Sequence, residues 1–379
     1  MALINYLTQI QFGYEALEQL TAECQRIGIT RPFIVTDTGV RAAGIVDKVL
    51  AQLAEPAAAE VFDQTPPNPN EGVVRAAAAR YRDGGFDGII AVGGGSSIDL
   101  AKGVAVCGTH EGPLKQFAVI EGGLTRITSA TAPVIAIPTT AGTGSEVGRG
   151  AILILDDGRK VGVISPYLIP RSAICDPELT LGLPPQLTAA TGMDAIAHCL
   201  ETFMAPAFNP PADGIALDGL WRAWRHIEGA TRTPGDREAR LNMMSASMQG
   251  ALAFQKGLGC VHSLSHALGG INPKLHHGTL NAVFLPAVIA FNAQSDSVRD
   301  EQKLQRIAQA MSLGSADEII PAIREMNRRL GMPSGLAEMG VDESLFPAII
   351  EGALADHSHK TNPRVASADD YAELLRQSM

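Results

Sequence analysis

The chain has 379 residues, 46% of them hydrophobic, which is enough for more than one core, and the length favours two domains. Its formal charge of -10 argues against a surface that binds phosphate polyanions, so nucleic acid is not an expected partner. The opening MALINYLTQIQFG has no basic stretch ahead of its short apolar run, and no later segment has the apolar length of a membrane span. Five scattered cysteines, Cys24, Cys107, Cys175, Cys199 and Cys260, contain no CxxC pair, so reduced thiols and a cytoplasmic location are expected.

In chain order, short β-rich runs come first: FIVTD (33–37), EVFD (60–63), GIIAV (88–92) and VIAIPTT (134–140). Helix-like segments such as 71–82 separate them, which predicts a parallel α/β sheet. AILILDDGRKVGVIS reads as a hairpin turning at Asp157-Gly158. After Pro184-Pro185 the pattern becomes helical, through RLNMMSASMQGALAF, HGTLNAVFLPAVIAFN, LQRIAQAM, EIIPAIREMNRRL and YAELLRQSM. The expected organisation is therefore a Rossmann-like α/β domain over 1–185 and an all-helical domain over 186–379.

GIIAVGGGSSIDLAKGVAV is a strand, three glycines (Gly93, Gly94, Gly95), two serines and a helix. Such a turn lets backbone amides and a helix N-terminus approach a pyrophosphate, although it also serves as a plain tight turn and lacks the GxGxxG pattern. Asp37 at the end of an earlier strand, where a carboxylate can accept from a ribose diol, and PTTAGTGSEVGRG (138–150) after a later one strengthen the ligand reading. All three lie at the carboxyl ends of strands, where open parallel sheets bind ligands.

In TGMDAIAHCLETF, Asp194 and His198 stand four residues apart and share one helix face. Alone they fit a hydrogen-bonded core pair as well as half of a metal site. GLGCVHSLSHALGG adds His262 and His266, and LHHGTLNAVF adds His276 and His277. One carboxylate with histidines from several helices suits a first-row divalent metal such as iron or zinc. His357 and His359 of DHSHKTNPR extend the candidates, and not all of them can be ligands.

Together GGGSSIDLAK, PTTAGTGSEV, GMDAIAHCLE, GLGCVHSLSHALGG, HHGTLNAVFLP and TNPR resemble the iron-containing, metal-dependent alcohol dehydrogenase family, related to glycerol dehydrogenase and dehydroquinate synthase. The resemblance spans nearly the whole chain and implies a dehydroquinate synthase-like architecture, with metal and nicotinamide in the cleft between a dinucleotide-binding and a helical domain. It makes Asp194, His198, His262 and His277 the metal ligands, and His266 the histidine beside nicotinamide and substrate. Gly94, Gly95 and Ser96 become the pyrophosphate loop, Thr139, Thr140, Thr143 and Ser145 cofactor contacts, Lys160 the lysine on the nicotinamide ribose, and Asp37 the adenosine-ribose carboxylate of NAD users. Asp99 and Lys102 are assigned to orienting the loop.

The implied activity is NAD-linked hydride transfer between nicotinamide C4 and an alcohol or carbonyl on a divalent metal, most simply Fe2+, with Zn2+ as the substitute. The implied partners are a small alcohol or aldehyde and a second copy of the chain in a homodimer, with no membrane. A maleylacetate reductase-like or other carbonyl reductase is the alternative within the superfamily, and a non-catalytic nucleotide or metal sensor the remote one. Departures fall at INPKLHHG, where His276 directly precedes His277, at Gln255-Lys256, at Gly150 and at Arg149, which is either a carboxylate clamp or a surface or interdomain ion pair.

Overall fold

The computed structural model describes residues 8–379; residues 1–7, part of the expected first domain and of the stretch read for a targeting leader, lie outside them. The described chain packs as two units, residues 8–140 with 144–182, and residues 141–143 with 183–379.

The first unit contains β1 (Gln9–Phe12), β2 (Pro32–Val35), β3 (Glu60–Phe62), β4 (Gly88–Gly93), β5 (Val134–Pro138), β6 (Gly150–Ile154), β7 (Lys160–Ile164) and β8 (Ser172–Cys175). Six of them form one parallel sheet in the order β1-β8-β5-β4-β2-β3, and β6 pairs antiparallel with β7. The hairpin turns where the sequence predicts, with Gly158 at a φ of 85°. β1 and β8, four residues each, are missing from the sequence reading.

Phe33, Val35, Ile89, Ala91, Val134 and Ala136 enter one apolar cluster, while Ile34, Ile90, Val92, Ile135 and Ile137 enter another. Alternate side chains thus feed cores on both faces, which is why these strands read as unbroken apolar runs. The helices of this unit are α1 (Leu20–Ile27), α2 (Thr38–Ala42), α3 (Ile45–Ala51), α4 (Glu71–Asp83) and α5 (Gly95–Cys107). From β2 the chain goes outward to β3, then returns to the other side of β2 for β4 and continues to β5. That reversal between β2 and β4 is a topological switch point, where the loops after two neighbouring strands diverge and leave a crevice.

The second unit is helical: α6 (Pro185–Met204), α7 (Pro210–Arg232), α8 (Arg237–Leu252), α9 (Cys260–Ile271), α10 (His277–Asn292), α11 (Asp296–Asp300), α12 (Lys303–Ala310), α13 (Ile319–Arg329), α14 (Phe346–Ala355) and α15 (Ala368–Gln377). α6 is buried without interruption from Thr188 to Met204, a mostly apolar central helix whose buried polar residues include Asp194, His198 and Glu201. α7 has 23 residues yet is not evident in the sequence, since Pro210-Pro211, Gly214 and Gly219 obscure its period. The prolines sit in its first turn, where a missing N–H costs nothing, and Asn209 caps it by accepting from Ala212 N–H at 3.3 Å. Among the described residues no helix is long and apolar enough to cross a membrane.

A buried cation organises the loop after β5. Lys102 Nζ, on α5, donates to the carbonyls of Ser145, Gly148 and Gly150 at 2.7, 2.8 and 2.8 Å and to Ser145 Oγ at 2.9 Å. Asp99, one turn earlier, accepts from Ser145 Oγ at 2.6 Å and from Ile152 N–H at 2.9 Å. The two side chains therefore set the path of residues 145–152. Lys102→Met strands four acceptors in the interior and should cost about 3 kcal/mol or more, read as a lower urea midpoint.

Glu146 lies in the same loop, and burial pushes its pKa from 4.5 to about 7 against the pull of its own backbone amide and Lys102. Between those values the folded state holds a proton that the unfolded state has released, so stability falls as pH rises through that window. Glu146→Gln should leave the melting temperature nearly unchanged below pH 4.5 and raise it increasingly up to about pH 7, with a constant gain above that, as measured by calorimetry across pH.

Candidate active site

At the switch point the β4–α5 turn is built by close approach. Gly93 has a φ of 150°, and a Cβ there would lie 2.5 Å from Ser97 Oγ, so both conformation and space demand glycine. α5 starts at Gly95 with no side chain capping its first amides. Ser97 N–H turns back to the Gly94 carbonyl at 3.1 Å, while the first amides of a helix, with its dipole, suit an anion. Thr140 lies against this turn, 3.3 Å from where a Gly94 Cβ would stand, and Thr139 N–H donates to Gly93 carbonyl at 3.0 Å. Asp37 accepts from Val40 N–H at 2.9 Å, capping α2, and from Ser97 Oγ at 3.2 Å. Asp37, Gly94, Gly95, Thr139 and Thr140 are thus gathered at the carboxyl ends of adjacent strands β2, β4 and β5.

Ser96 Oγ bonds to Pro67 carbonyl, and Lys160 Nζ donates to Asn68 Oδ1 at 3.0 Å, so both touch the loop after β3. Ser145 has its hydroxyl engaged by Asp99 and Lys102, whereas Thr143 belongs to the helical unit. Arg149 is exposed, and its carbonyl accepts from Ser165 N–H at 3.0 Å.

In the helical unit α6 supplies Asp194 and His198, α9 supplies His262 and His266, and α10 begins with His277. Gly278 explains the HG pair: a Cβ there would lie 2.1 Å from Ala190 carbonyl, so only glycine lets α10 start against α6 and bring His277 to Asp194. The Nε2 atoms of His198, His262 and His277 lie 3.4, 3.7 and 3.6 Å from Asp194 Oδ1. Ligands on a tetrahedral cation with bonds of about 2.1 Å stand about 3.4 Å apart, so the spacing fits such an ion. Asp194, His198 and His262 form a buried potential metal-binding group, and His277 adds a fourth donor. His276 is exposed at the N-cap of α10, with no side-chain cap bond.

Three further contacts orient these donors. Glu201 Oε2 receives His262 Nδ1 at 2.5 Å while Glu201 Oε1 accepts from Val261 N–H at 2.7 Å. Gly142 carbonyl lies 3.2 Å from His198 Nδ1. Asn281 Nδ2 lies 2.7 Å from Asp194 Oδ1 and 3.3 and 3.2 Å from His262 and His277 Nε2, one amide facing several acceptors, and its own buried Oδ1 lacks a partner. Convergent lone pairs served by a single amide are a donor set that a cation satisfies better.

Burial acts to raise the Asp194 pKa, but the surrounding imidazoles, His198 foremost, outweigh it and hold the carboxyl well below its usual range. Burial pushes His198 down to about 4 despite Asp194. Burial also opposes charge on His262, yet Glu201 and Asp194 raise it to about 9.

Sequence reasoning missed Glu201, Asn281 and Asp356. Glu201 follows His198 by three residues and Asn281 follows His277 by four, so helical spacing contained a signal for both. Asp356, which receives His266 Nδ1 at 3.0 Å, is distant in sequence from every ligand and gave none. His359 is buried with Nδ1 3.0 Å from Tyr371 Oη, a core contact, while His357 lies 3.5 Å from Asp356.

A parallel-sheet unit with an anion-binding turn, and a helical unit in which one aspartate and three histidines converge, define a metal-dependent, nucleotide-linked dehydrogenase. The model of "Iron-containing alcohol dehydrogenase" matches residues 8–177 and that of "Fe-containing alcohol dehydrogenase family, C-terminal" matches residues 188–379. The chain belongs to the iron-containing alcohol dehydrogenase family and is an enzyme acting on alcohol groups. It is 62% identical to 4-hydroxybutyrate dehydrogenase of Cupriavidus necator, over 100% of both chains. The crystal structure of a 1,3-propanediol oxidoreductase matches over 100% of both chains with a TM-score of 0.92 and 35% identity. Sulfoacetaldehyde reductase of Bifidobacterium kashiwanohense, in complex with NAD+, matches with a TM-score of 0.89 and 25% identity, over 100% of this chain and 98% of that one. The family's NAD and divalent metal, typically Fe2+, are cofactors for which this chain carries fitting residues.

His277→Ala and His262→Ala should each abolish stoichiometric metal binding, and exposed His276→Ala should retain it, as measured by metal analysis after reconstitution. Glu201→Gln weakens the hold on His262 and should lower metal affinity about 10–100-fold.

Proposed function

We propose that the protein is an NAD-linked dehydrogenase for small ω-hydroxy acids, with 4-hydroxybutyrate oxidised to the corresponding semialdehyde, or the reverse. The observation carrying the chemistry is the convergence of three imidazole Nε2 atoms on one oxygen of Asp194. The substrate class follows from 62% identity over the full length of a 4-hydroxybutyrate dehydrogenase.

Asp194, His198, His262 and His277 hold the divalent cation, Fe2+ or in its place Zn2+. When bound, that cation supplies Lewis acidity towards the hydroxyl or carbonyl oxygen, and NAD supplies the hydride acceptor. His266 contacts the substrate hydroxyl and carries its proton. Gly94, Gly95 and Ser96 cradle the pyrophosphate, Thr139, Thr140, Thr143 and Ser145 line the remaining cofactor path, and Lys160 and Asp37 take the nicotinamide and adenosine riboses. The intact donor set speaks against a maleylacetate reductase-like protein, and the buried, unpaired state of all five cysteines suits the cytoplasm. A homodimer is the assembly we infer.

Turnover of the Fe2+-reconstituted protein with 4-hydroxybutyrate, 1,3-propanediol, ethanol and 1-butanol tests this reading. The highest kcat/KM is expected for 4-hydroxybutyrate, and activity with none of the panel, in either direction, would overturn it.

Asp37 predicts a preference for NAD, because a carboxylate beside the ribose repels a 2′-phosphate. Asp37→Gly should raise NADP use and weaken NAD binding with little change in kcat. Since Asp37 also caps α2, the variant should lose roughly 0.3 kcal/mol of stability, small beside the cofactor effect and separable from it by thermal unfolding.

A further inference from the structure

His266 enters the proposed reaction through one ring nitrogen, and its neighbours determine which. Its ring is stacked between two other imidazoles, His277 at 5.3 Å and 12° and His357 at 5.6 Å and 21°, so its plane is held. Stacking fixes the plane but does not choose between the two neutral tautomers. That choice is made at the edge of the ring, where Nδ1 lies 3.0 Å from Asp356 Oδ2 with both side chains buried.

We propose, resting on the dehydrogenase reading above, that Asp356 is the positioning residue that fixes the tautomer of His266, keeping the proton on Nδ1 and leaving Nε2 as the acceptor offered to the substrate hydroxyl. Asp356 occupies the C-cap of α14, and its other oxygen, Oδ1, accepts from Ser358 N–H at 2.8 Å. The carboxylate is thus held at both oxygens by donors. With Oδ1 taken by the Ser358 N–H, the carboxylate presents Oδ2 as the acceptor of the 3.0 Å contact, which places the proton on Nδ1. Nε2 is then the lone-pair nitrogen of a neutral ring, in the arrangement a proton acceptor needs.

The geometry makes an unusual ordering of variants follow. In Asp356→Asn the fixed Ser358 N–H selects the amide carbonyl, and the NH2 group is turned towards His266. Nδ1 must then accept, the proton moves to Nε2, and the ring presents a donor where an acceptor is needed. In Asp356→Ala the carboxylate no longer selects a tautomer, and nothing at that position forces the inverted one. The nearly isosteric asparagine should therefore be the worse substitution, whereas a merely structural role for Asp356 predicts that alanine is worse.

The test uses metal-loaded protein saturated with NAD, and the best alcohol from the panel. The expected result is a fall in kcat of about 100-fold or more for Asp356→Asn, by analogy with a wrong-tautomer triad variant, with metal content and NAD Kd within about twofold of the parent. Asp356→Ala should lose less. An Asp356→Asn kcat within about threefold of the parent, or an alanine variant slower than the asparagine one, overturns the proposal. Should the alanine variant not fold, 15N spectra of histidine-labelled, Zn2+-loaded parent and Asp356→Asn decide it. The His266 proton is expected on Nδ1 in the first and on Nε2 in the second, and the same tautomer in both refutes the assignment. An inactive parent would count against the dehydrogenase reading, while the spectra would still settle the tautomer.

Discussion

Burying a carboxylate costs several kcal/mol unless compensating groups surround it, and in the helical unit that requirement falls on Asp194, which is 1% exposed. Its compensation comes from α6 itself through His198, from α9 through His262 and from α10 through His277 and Asn281. Each of these contacts crosses a different packing interface except the first. The helices must therefore sit where the imidazoles reach one oxygen, and the small residues at the contacts, such as Gly278 against Ala190, follow from that demand. Apolar packing makes α6 the central helix, and the polar cluster sets the register of its neighbours.

The sheet unit meets a comparable demand with a cation. Lys102 is buried among three carbonyls and a hydroxyl of one loop, and Asp99 binds the same loop from the preceding turn of α5. Neither is placed to act on a substrate. Their effect is to make the loop after β5 a fixed continuation of the sheet, so that Thr139 and Thr140 remain against the glycine turn. A functional loop here is rigid because its backbone acceptors are bound from beneath.

Much of this was legible in the sequence because it depends on local spacing. The strands of the sheet centre showed as apolar runs, the hairpin as an Asp-Gly turn, and Asp194 with His198 as one helix face. His277 stands 3.6 Å from Asp194 and His276 on the surface. What was hidden depends on contacts between distant segments. β8 is held by its ladders to β1 and β5, which are distant from it in sequence. Asp356 reaches His266 across 90 residues, and no spacing rule connects them. α7 was hidden for the opposite reason, since its helical character is clear from packing and obscured by its own glycines and prolines.

The histidines share one device with different partners. His262 gives Nδ1 to the Glu201 carboxylate, His266 to the Asp356 carboxylate, and His198 to the neutral carbonyl of Gly142. In each case the outer nitrogen is committed, so the inner nitrogen is defined by default. The partners are not equivalent, because an anion stabilises positive charge on the ring where a carbonyl only orients it. With both rings buried on Asp194, the contrast between His262, raised to about 9, and His198, lowered to about 4, tracks the extra carboxylate on the first. The same logic extends to His266, which has a carboxylate partner but no place in the ligand set. There the carboxylate orients a ring that stands beside the Asp194 cluster without joining it.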